Sequence, residues 1–346
     1  MKKLRMGFIG TGSICQGNHL PHYAAMPDVE IYAICDILPD VAKKVAEQYN
    51  CSRVFTDYNE MLALDEIDAV DICTPNDIHS PAAVASLNAG KHVLVEKPVA
   101  RTAEEAQAMV DAARASGKKL QVAQCIRFEP SNQALKRFIT AGYMGDIYFA
   151  RAFALRRRGI PPWGVFTDKE RQGGGPLIDI GVHILDLTLW LMSHPKPISA
   201  SGVTYTKFGK REGVYSPWGP WDPKTFSVED FAAGFVRFEN GATLSLETCF
   251  AANLGQGTFN TTILGTDGGC ETSPVKMYRE EHQTLLDVTP VTMPKVDIYQ
   301  EEIKAFLAAI RNDTDVPVTG EECLITAKIM DAIYKSAETG REVTIA

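Results

Sequence analysis

The chain has 346 residues, 45% of them apolar and 23% charged, a composition that supports buried cores and excludes extended disorder. A formal charge of −8 with no basic block excludes nucleic acid as a partner. No run approaches about 18 uninterrupted apolar residues, so no membrane partner is expected.

The N-terminal MKKLR has the charge of an export signal, but the apolar run after it stops at a glycine turn, too short for the hydrophobic part of one. Eight cysteines (Cys15, Cys35, Cys51, Cys73, Cys125, Cys249, Cys270 and Cys323) form no C-x-x-C pair, and several lie in strand-like runs. Reduced, mostly buried thiols and a cytoplasmic location are expected, with no metal site.

Met6-Gly7-Phe8-Ile9 predicts a strand. Gly10-Thr11-Gly12 then predicts a tight turn with bare backbone N–H groups, and a helix from near Ser13 and Ile14 points its positive end at the same spot. A second strand, Glu30 to Cys35, ends at Asp36, about 24 residues beyond Gly12, where a carboxylate meets the ribose hydroxyls of a bound dinucleotide. This carboxylate favours NAD and repels the 2′-phosphate of NADP, and Ile37 offers that phosphate nothing. An isolated glycine pair also fits an ordinary strand-to-helix turn. The third glycine of G-x-G-x-x-G is Cys15, at a position that serves helix–strand packing and contacts no phosphate.

Helical spacing from Leu38 to Tyr49 is followed by strand Val54-Phe55, a short helix from Tyr58, and the core strand Ala69 to Cys73, which runs into Thr74-Pro75-Asn76. Helix Ser80 to Ala89, strand His92 to Val95 ending in Glu96-Lys97-Pro98, helix Ala103 to Ser116 and strand Lys119 to Gln124 continue the alternation. The pattern predicts an α/β Rossmann domain over residues 1–125, a doubly wound parallel sheet that binds ligands at the carboxyl ends of its strands. Thr74, Asn76, His79, Glu96, Lys97, Gln124 and Arg127 fall at or just past those ends.

From residue 126 to 346 the pattern predicts an α+β domain for substrate binding and oligomerisation, built on a large, mostly antiparallel open sheet, with the last helix and strand expected to pack back on the first domain. Helix Asn132 to Ala141 leads into alternating strands Ile147 to Leu155, Ser199 to Tyr205, Asp230 to Glu239 and Ala242 to Phe250. Asn240-Gly241 and Asp267-Gly268 are turn signals. Helices Tyr299 to Ile310 and Glu321 to Thr339 and a last strand near Val343 close the chain. The sheet has one face bare of predicted helices, which is expected to be covered in a homodimer or homotetramer.

The segment Gly173-Gly174-Gly175 through Leu187 reads as a helix with an apolar stripe (Ile178, Val182, Leu185, Leu189, Met192) and a second line formed by Asp179, His183, Asp186 and Trp190. The glycines allow another group to approach its N-terminus. A carboxylate and an imidazole one turn apart can orient a hydroxyl and move its proton; a satisfied buried pair is the alternative. Arg156-Arg157-Arg158 is either a solvated strand end or a reader of a polyhydroxylated or anionic substrate. Trp163 either stacks on a ring or packs, and the aromatic loop Tyr215 to Trp221 has no assignment.

The ordered motifs GFIGTGSI, Asp36, TPNDIHSP (74–81), VEKPVA (95–100), RFEP (127–130) and GGGPLIDIGVHILDL (173–187) cover essentially the whole chain. In this order they resemble the Gfo/Idh/MocA oxidoreductases, the group of glucose-fructose oxidoreductase and inositol 2-dehydrogenase. The resemblance implies a substrate pocket bounded by Lys97, Asp179 and His183, a cis Lys97-Pro98 bond, and NAD held by Gly10, Gly12, Ser13, Ile14, Asp36, Thr74, Asn76, His79, Glu96 and Lys97. Thr11, Pro75 and Gln124 complete the expected cofactor set, and Arg127 and Trp163 the expected substrate set. The implied activity is hydride transfer between NAD(H) and a secondary ring hydroxyl of a sugar, glycoside or cyclitol. His183 is then the proton acceptor, positioned by Asp179, with Lys97 on the same oxygen; the reverse assignment of His183 and Lys97 stays open. A glycosidase that oxidises, eliminates and re-reduces with bound NAD is one rival. A non-catalytic nucleotide- or sugar-sensing regulator is another, against which the retention of Lys97, Asp179 and His183 together speaks.

Overall fold

In the computed structural model, which describes residues 3–346, short apolar runs pair into a six-stranded parallel sheet of order β3-β2-β1-β4-β5-β6. Its strands are β1 (Leu4–Ile9), β2 (Val29–Cys35), β3 (Val54–Phe55), β4 (Ala69–Ile72), β5 (His92–Glu96) and β6 (Leu120–Ala123). β4 and β6 are buried along their whole length, as strands covered on both faces must be. Helices α1 (Leu20–Ala24), α2 (Pro39–Gln48), α3 (Tyr58–Leu62), α4 (Asn76–Asn88) and α5 (Ala103–Ser116) alternate with them. The strand order reverses between β1 and β4, the place where such sheets open a ligand crevice. α4 begins at Asn76 rather than near Ser80 and carries Pro81 inside it. A proline there reads locally as a boundary, which is why the helix start looked later.

The following elements are α6 (Pro130–Thr140), β7 (Ile147–Leu155), α7 (Lys169–Gln172), α8 (Val182–Leu191) and β8 (Pro197–Tyr205). Strands β9 (Phe231–Phe238), β10 (Thr243–Cys249), β11 (Thr258–Gly265), β12 (Gly268–Thr272), β13 (Val275–Glu281) and β14 (Thr284–Val288) come next. α9 (Ile298–Asn312), α10 (Gly320–Thr339) and β15 (Val343–Thr344) close the chain. The second sheet has nine strands in the order β14-β13-β12-β11-β7-β10-β9-β8-β15. Only its β7·β10 pair is parallel, so the sheet is mixed but mostly antiparallel. Asn240-Gly241 makes the hairpin between β9 and β10, with Gly241 at φ +85°. Asp267 lies in the turn from β11 to β12.

Two compact units result. The first runs through Cys125 and adds Val296–Leu324, and the second is Ile126–Lys295 with Ile325–Ala346, so α9 joins the first unit while most of α10 and the last strand, β15, stay with the second. In the first, Ile303, Phe306 and Leu307 of α9 join Met6, Phe8, Ile34 and Leu94 in one core. In the second, Ala150, Ala152 and Ala154 line one face of β7, and their small side chains let Ile184 and Leu185 of α8 pack closely. The stretch Lys169–Leu191 is long and apolar enough to cross a membrane by composition, but 89% of its most apolar part is buried inside the structure, as in a core helix.

Candidate active site

The first unit builds a cradle at the end of β1. Gly10 adopts φ +80°, and a Cβ on it would lie 2.8 Å from Thr74 Cγ2 and 3.0 Å from the Cys73 carbonyl, so only glycine fits there. A Cβ on Gly12 would meet nothing within 4 Å, so its backbone is open on that side. Asp36 sets the turn: its Oδ2 accepts from the Thr11 N–H at 2.8 Å and the Thr11 hydroxyl at 3.0 Å, and its Oδ1 accepts from the Leu38 N–H at 3.0 Å. Ser13 is exposed and Ile14 half-buried, at the start of the helical winding. Cys15 is fully buried, which explains why a small side chain serves in place of the third glycine. Cys15–His19 then forms a π-turn before α1, a wider winding often found at functional sites.

That π-turn carries His19 into the interior. Its Nδ1 lies 2.8 Å from Asp71 Oδ2 and its Nε2 lies 3.1 Å from Glu96 Oε1, with all three residues buried. Burial works against charge on His19, but the carboxylates of Asp71 and then Glu96 outweigh it and hold the imidazole well above its ordinary range. Burial likewise opposes ionisation of Glu96, and the His19 contact overcomes it and lowers the carboxyl. The other oxygen of Glu96 accepts from the Lys97 N–H at 3.0 Å. Nothing in the NHLPH segment marks His19 as different from the histidine that follows it.

Lys97 is half-buried, and the Lys97-Pro98 bond is cis, as the resemblance implied. His79 is 1% exposed, with Nδ1 2.8 Å from the Pro98 carbonyl and Nε2 2.9 Å from that of Thr74. Burial lowers its pKa, and the two carbonyls pull the other way. Its ring braces the end of β4 against the turn after β5. Asn76 is buried at the start of α4, next to the exposed Pro75, and Thr74 is half-buried. Gln124 is fully buried just past β6.

In the second unit the triple glycine is filled by protein. A Cβ on Gly175 would lie 2.0 Å from the Glu229 carbonyl oxygen, and one on Gly174 would lie 2.0 Å from the Tyr334 hydroxyl. Glu229 is 7% exposed and accepts from the Gly175 N–H at 2.9 Å, the Leu177 N–H at 3.2 Å and the Tyr334 hydroxyl at 2.9 Å. Burial raises its pKa, while these donors counter the rise. Leu177–Gly181 follows as a second π-turn, and α8 continues from it. Gly181 allows the turn to touch β10, since a Cβ there would lie 2.8 Å from Thr248 Cγ2.

Asp179, on this π-turn, is buried, with Arg156 Nη1 3.8 Å from its Oδ2; His183 is half-buried on the first turn of α8. Burial lowers the Arg156 pKa and Asp179 opposes it. The three arginines therefore differ. Arg157 and Arg158 donate to the carbonyls of Gly255 and Ala252, whereas Arg156 faces Asp179. Arg127, expected among the substrate contacts, is 2% exposed, with Nε and Nη2 each 2.7 Å from an oxygen of Asp186. This is the geometry of a buried structural pair, and it removes Asp186 from the line that the sequence drew through Asp179 and His183. Trp163 is exposed, and its ring centroid lies 5.5 Å from that of Trp218 in the aromatic loop.

Residues 4–124 match the NAD-binding Rossmann domain of the Gfo/Idh/MocA oxidoreductases, and residues 136–345 match the C-terminal alpha/beta domain of the same family. The chain is 36% identical over 343 residues to D-glucoside 3-dehydrogenase of Escherichia coli (strain K12), covering 99% of this chain and 97% of that protein. It is 28% identical over 343 residues to a scyllo-inositol 2-dehydrogenase (NADP(+)) of Bacillus subtilis (strain 168), covering 96% of each. The solved structure of levoglucosan dehydrogenase with NADH and levoglucosan superposes with a TM-score of 0.85 at 26% identity, covering 99% of this chain and 100% of that one. With an NAD-binding Rossmann unit, a mixed-sheet second unit and both family domains matched, the chain belongs to the Gfo/Idh/MocA family of oxidoreductases.

Proposed function

We propose that this enzyme transfers hydride between NAD(H) and a secondary ring hydroxyl of a sugar, glycoside or cyclitol. The observation that carries the reading is the second-unit π-turn, which places the buried Asp179 beside Arg156 one turn before His183, on a chain whose first unit has the glycine cradle of a dinucleotide. The cradle fits the cofactor: Gly10 admits no side chain, Gly12 is open, and Asp36 ends β2. Gly10, Thr11, Gly12, Ser13 and Ile14 would hold the pyrophosphate and Asp36 the ribose, with Thr74, Pro75, Asn76 and Lys97 at the strand ends. NAD, when bound, supplies the hydride acceptor. His79 and Glu96 act by bracing the turn that presents Lys97.

His183 takes the proton of the substrate hydroxyl, for which an imidazole is suited near neutral pH. Asp179 orients it, Lys97 donates a hydrogen bond to the same oxygen, and Trp163 contributes a stacking surface to the substrate. The relatives named as sugar, glucoside and inositol dehydrogenases support the substrate class. All eight cysteines are free and buried, which suits the reducing cytoplasm. A homodimer or homotetramer is the proposed assembly.

The test is NADH formation across a panel of sugars, glycosides and cyclitols. Asp179→Asn and His183→Ala are expected to lower kcat by about 10²-fold or more, as loss of a general base does. The double variant should be little worse than His183→Ala alone, because residues serving one proton transfer are non-additive. NAD affinity should barely change in either. Near-native turnover of His183→Ala from about pH 6 to 9, the range in which an imidazole base titrates, would make the pair structural.

A further inference from the structure

Trp218 belongs to the aromatic loop that no part of the proton-transfer machinery uses, yet it stands one side chain away from Asp179. The guanidinium of Arg156 lies 4.9 Å from the centroid of the Trp218 ring and 3.8 Å from Asp179 Oδ2. The ring is seated on Gly159, where a Cβ would lie 3.1 Å from Trp218 Cη2 and 2.7 Å from Arg156 Cδ; any side chain there would displace both. Arg156 Nη1 also donates to the Gly159 carbonyl at 3.2 Å, so the same short loop fixes the cation and the ring. Trp163 meets Trp218 at an interplanar angle of 48°, and the two open as a corner with 53% and 42% of their surfaces exposed.

Tryptophans are normally among the more buried residues. Two adjoining indoles left this exposed offer a platform for an apolar ring face, and the guanidinium that lies over one of them adds donors for hydroxyls. We propose that Arg156, Trp163 and Trp218 form an outer subsite for the part of a glycoside that is not oxidised, its aglycone or second sugar ring, while the ring bearing the reacting hydroxyl sits at Asp179 and His183. The proposal rests on the dehydrogenase reading above and narrows its substrate class to glycosides. Arg156 is the joint between the two positions: its charge faces Asp179 on one side and lies over the indole on the other, so a ligand bridging both places a hydroxyl against the guanidinium.

The experiment compares a hexopyranose with its phenyl and hexosyl glycosides, using the full chain with NAD. Trp218→Ala is expected to lower the ratio of kcat/KM for glycoside over monosaccharide by about tenfold, the effect of about 1.4 kcal/mol of lost ring contact, mainly through KM for the glycoside. Trp218→Phe should restore most of the ratio. Equal losses on both substrates overturn the proposal, since Trp218 would then only prop Arg156. A change in oligomeric mass for Trp218→Ala also overturns it, by making the corner a contact between copies. Absence of NADH formation with every substrate would remove the dehydrogenase reading, and calorimetric binding of the same glycosides and monosaccharide to wild type and Trp218→Ala then decides the subsite. Unchanged glycoside affinity in that titration would refute it.

Discussion

Asp36 divides its carboxylate between the glycine turn and the chain beyond β2, taking two hydrogen bonds from Thr11 on one oxygen and one from Leu38 on the other. In the proposed ribose contact this carboxylate opposes a 2′-phosphate, so preference for NAD over NADP should be at least about tenfold, or 1.4 kcal/mol. Asp36→Ala should erode that preference and, by releasing Thr11, weaken NAD as well; equal affinity of the wild type for both cofactors by calorimetry would defeat the assignment. His19 poses a second question at this scale. Its pKa lies well above the ordinary 6.5, so its contribution to stability is fully present below about pH 6.5 and is lost as pH rises through the raised value. Glu96, whose pKa is lowered, contributes above its ordinary 4.5 and loses that contribution as pH falls through the lowered value. His19→Gln leaves two buried carboxylates without their cation and should cost about 3–5 kcal/mol. The penalty should shrink toward alkaline pH, and denaturant titrations across pH that showed it constant would contradict the charged triad.

At the scale of elements, the triple glycine and the second π-turn go together. Glu229 and Tyr334 enter the space that side chains on Gly174 and Gly175 would fill, and Glu229 satisfies the N–H groups of Gly175 and Leu177 as the π-turn begins. Gly175→Ala would drive a Cβ into the Glu229 backbone and should destabilise at the upper end of the 1–3 kcal/mol range, roughly, that overpacking imposes. Gly255→Ala, where a Cβ would meet nothing within 4 Å, should be neutral. Thermal unfolding of the pair checks this, and equal midpoints would rule out the fitted contact. Both π-turns fall on motifs that the sequence singled out, the glycine turn and the D-x-x-x-H segment. Reading the second of these at a 3.6-residue period correctly placed Ile178, Val182, Leu185, Leu189 and Met192 inside, although the segment is buried on nearly every side. It could not see the wider winding, because one wider turn barely alters apolar periodicity.

For the whole molecule, the open question is what covers the second sheet. α8 packs on the face carrying Ala150, Ala152 and Ala154. The opposite face carries Phe149 and Phe153 of β7 and Phe231 and Phe235 of β9, half-buried in the single chain, with Val203 and Tyr205 exposed on β8, interleaved with Arg151, Ser245, Glu247 and Arg237. Six aromatic and aliphatic side chains on one sheet face that no helix covers are expected to bury against a second copy. Light scattering should return a dimer or tetramer mass. A monomer mass independent of concentration would refute the assembly, and Phe235→Glu should shift the mass downward if the face is the contact.

What the sequence determined by itself was whatever is written in local periodicity and in residues with narrow conformational uses. Alternating strands and helices specified the parallel sheet, Gly10 and Asn240-Gly241 specified their turns, and the order of glycine turn, Asp36, Glu96-Lys97-Pro98 and Asp179-x-x-x-His183 specified the family. The tertiary structure alone decided which polar residues meet. Arg127 reads as a candidate because it lies just past a strand end, and becomes a structural cation only because α8 brings Asp186 to it. Glu229 is an acidic residue before a strand until the triple glycine closes over it, and His19 is one histidine of two until β4 and β5 set carboxylates on either side. Ile298–Asn312 has the apolar spacing of any amphipathic helix, and that spacing is the same whether the helix covers the first unit's core, as it does, or the second's. Apolar burial is non-directional and leaves its mark in composition and period, whereas charge pairing depends on distance across the fold, to which residues far apart in sequence carry no local sign.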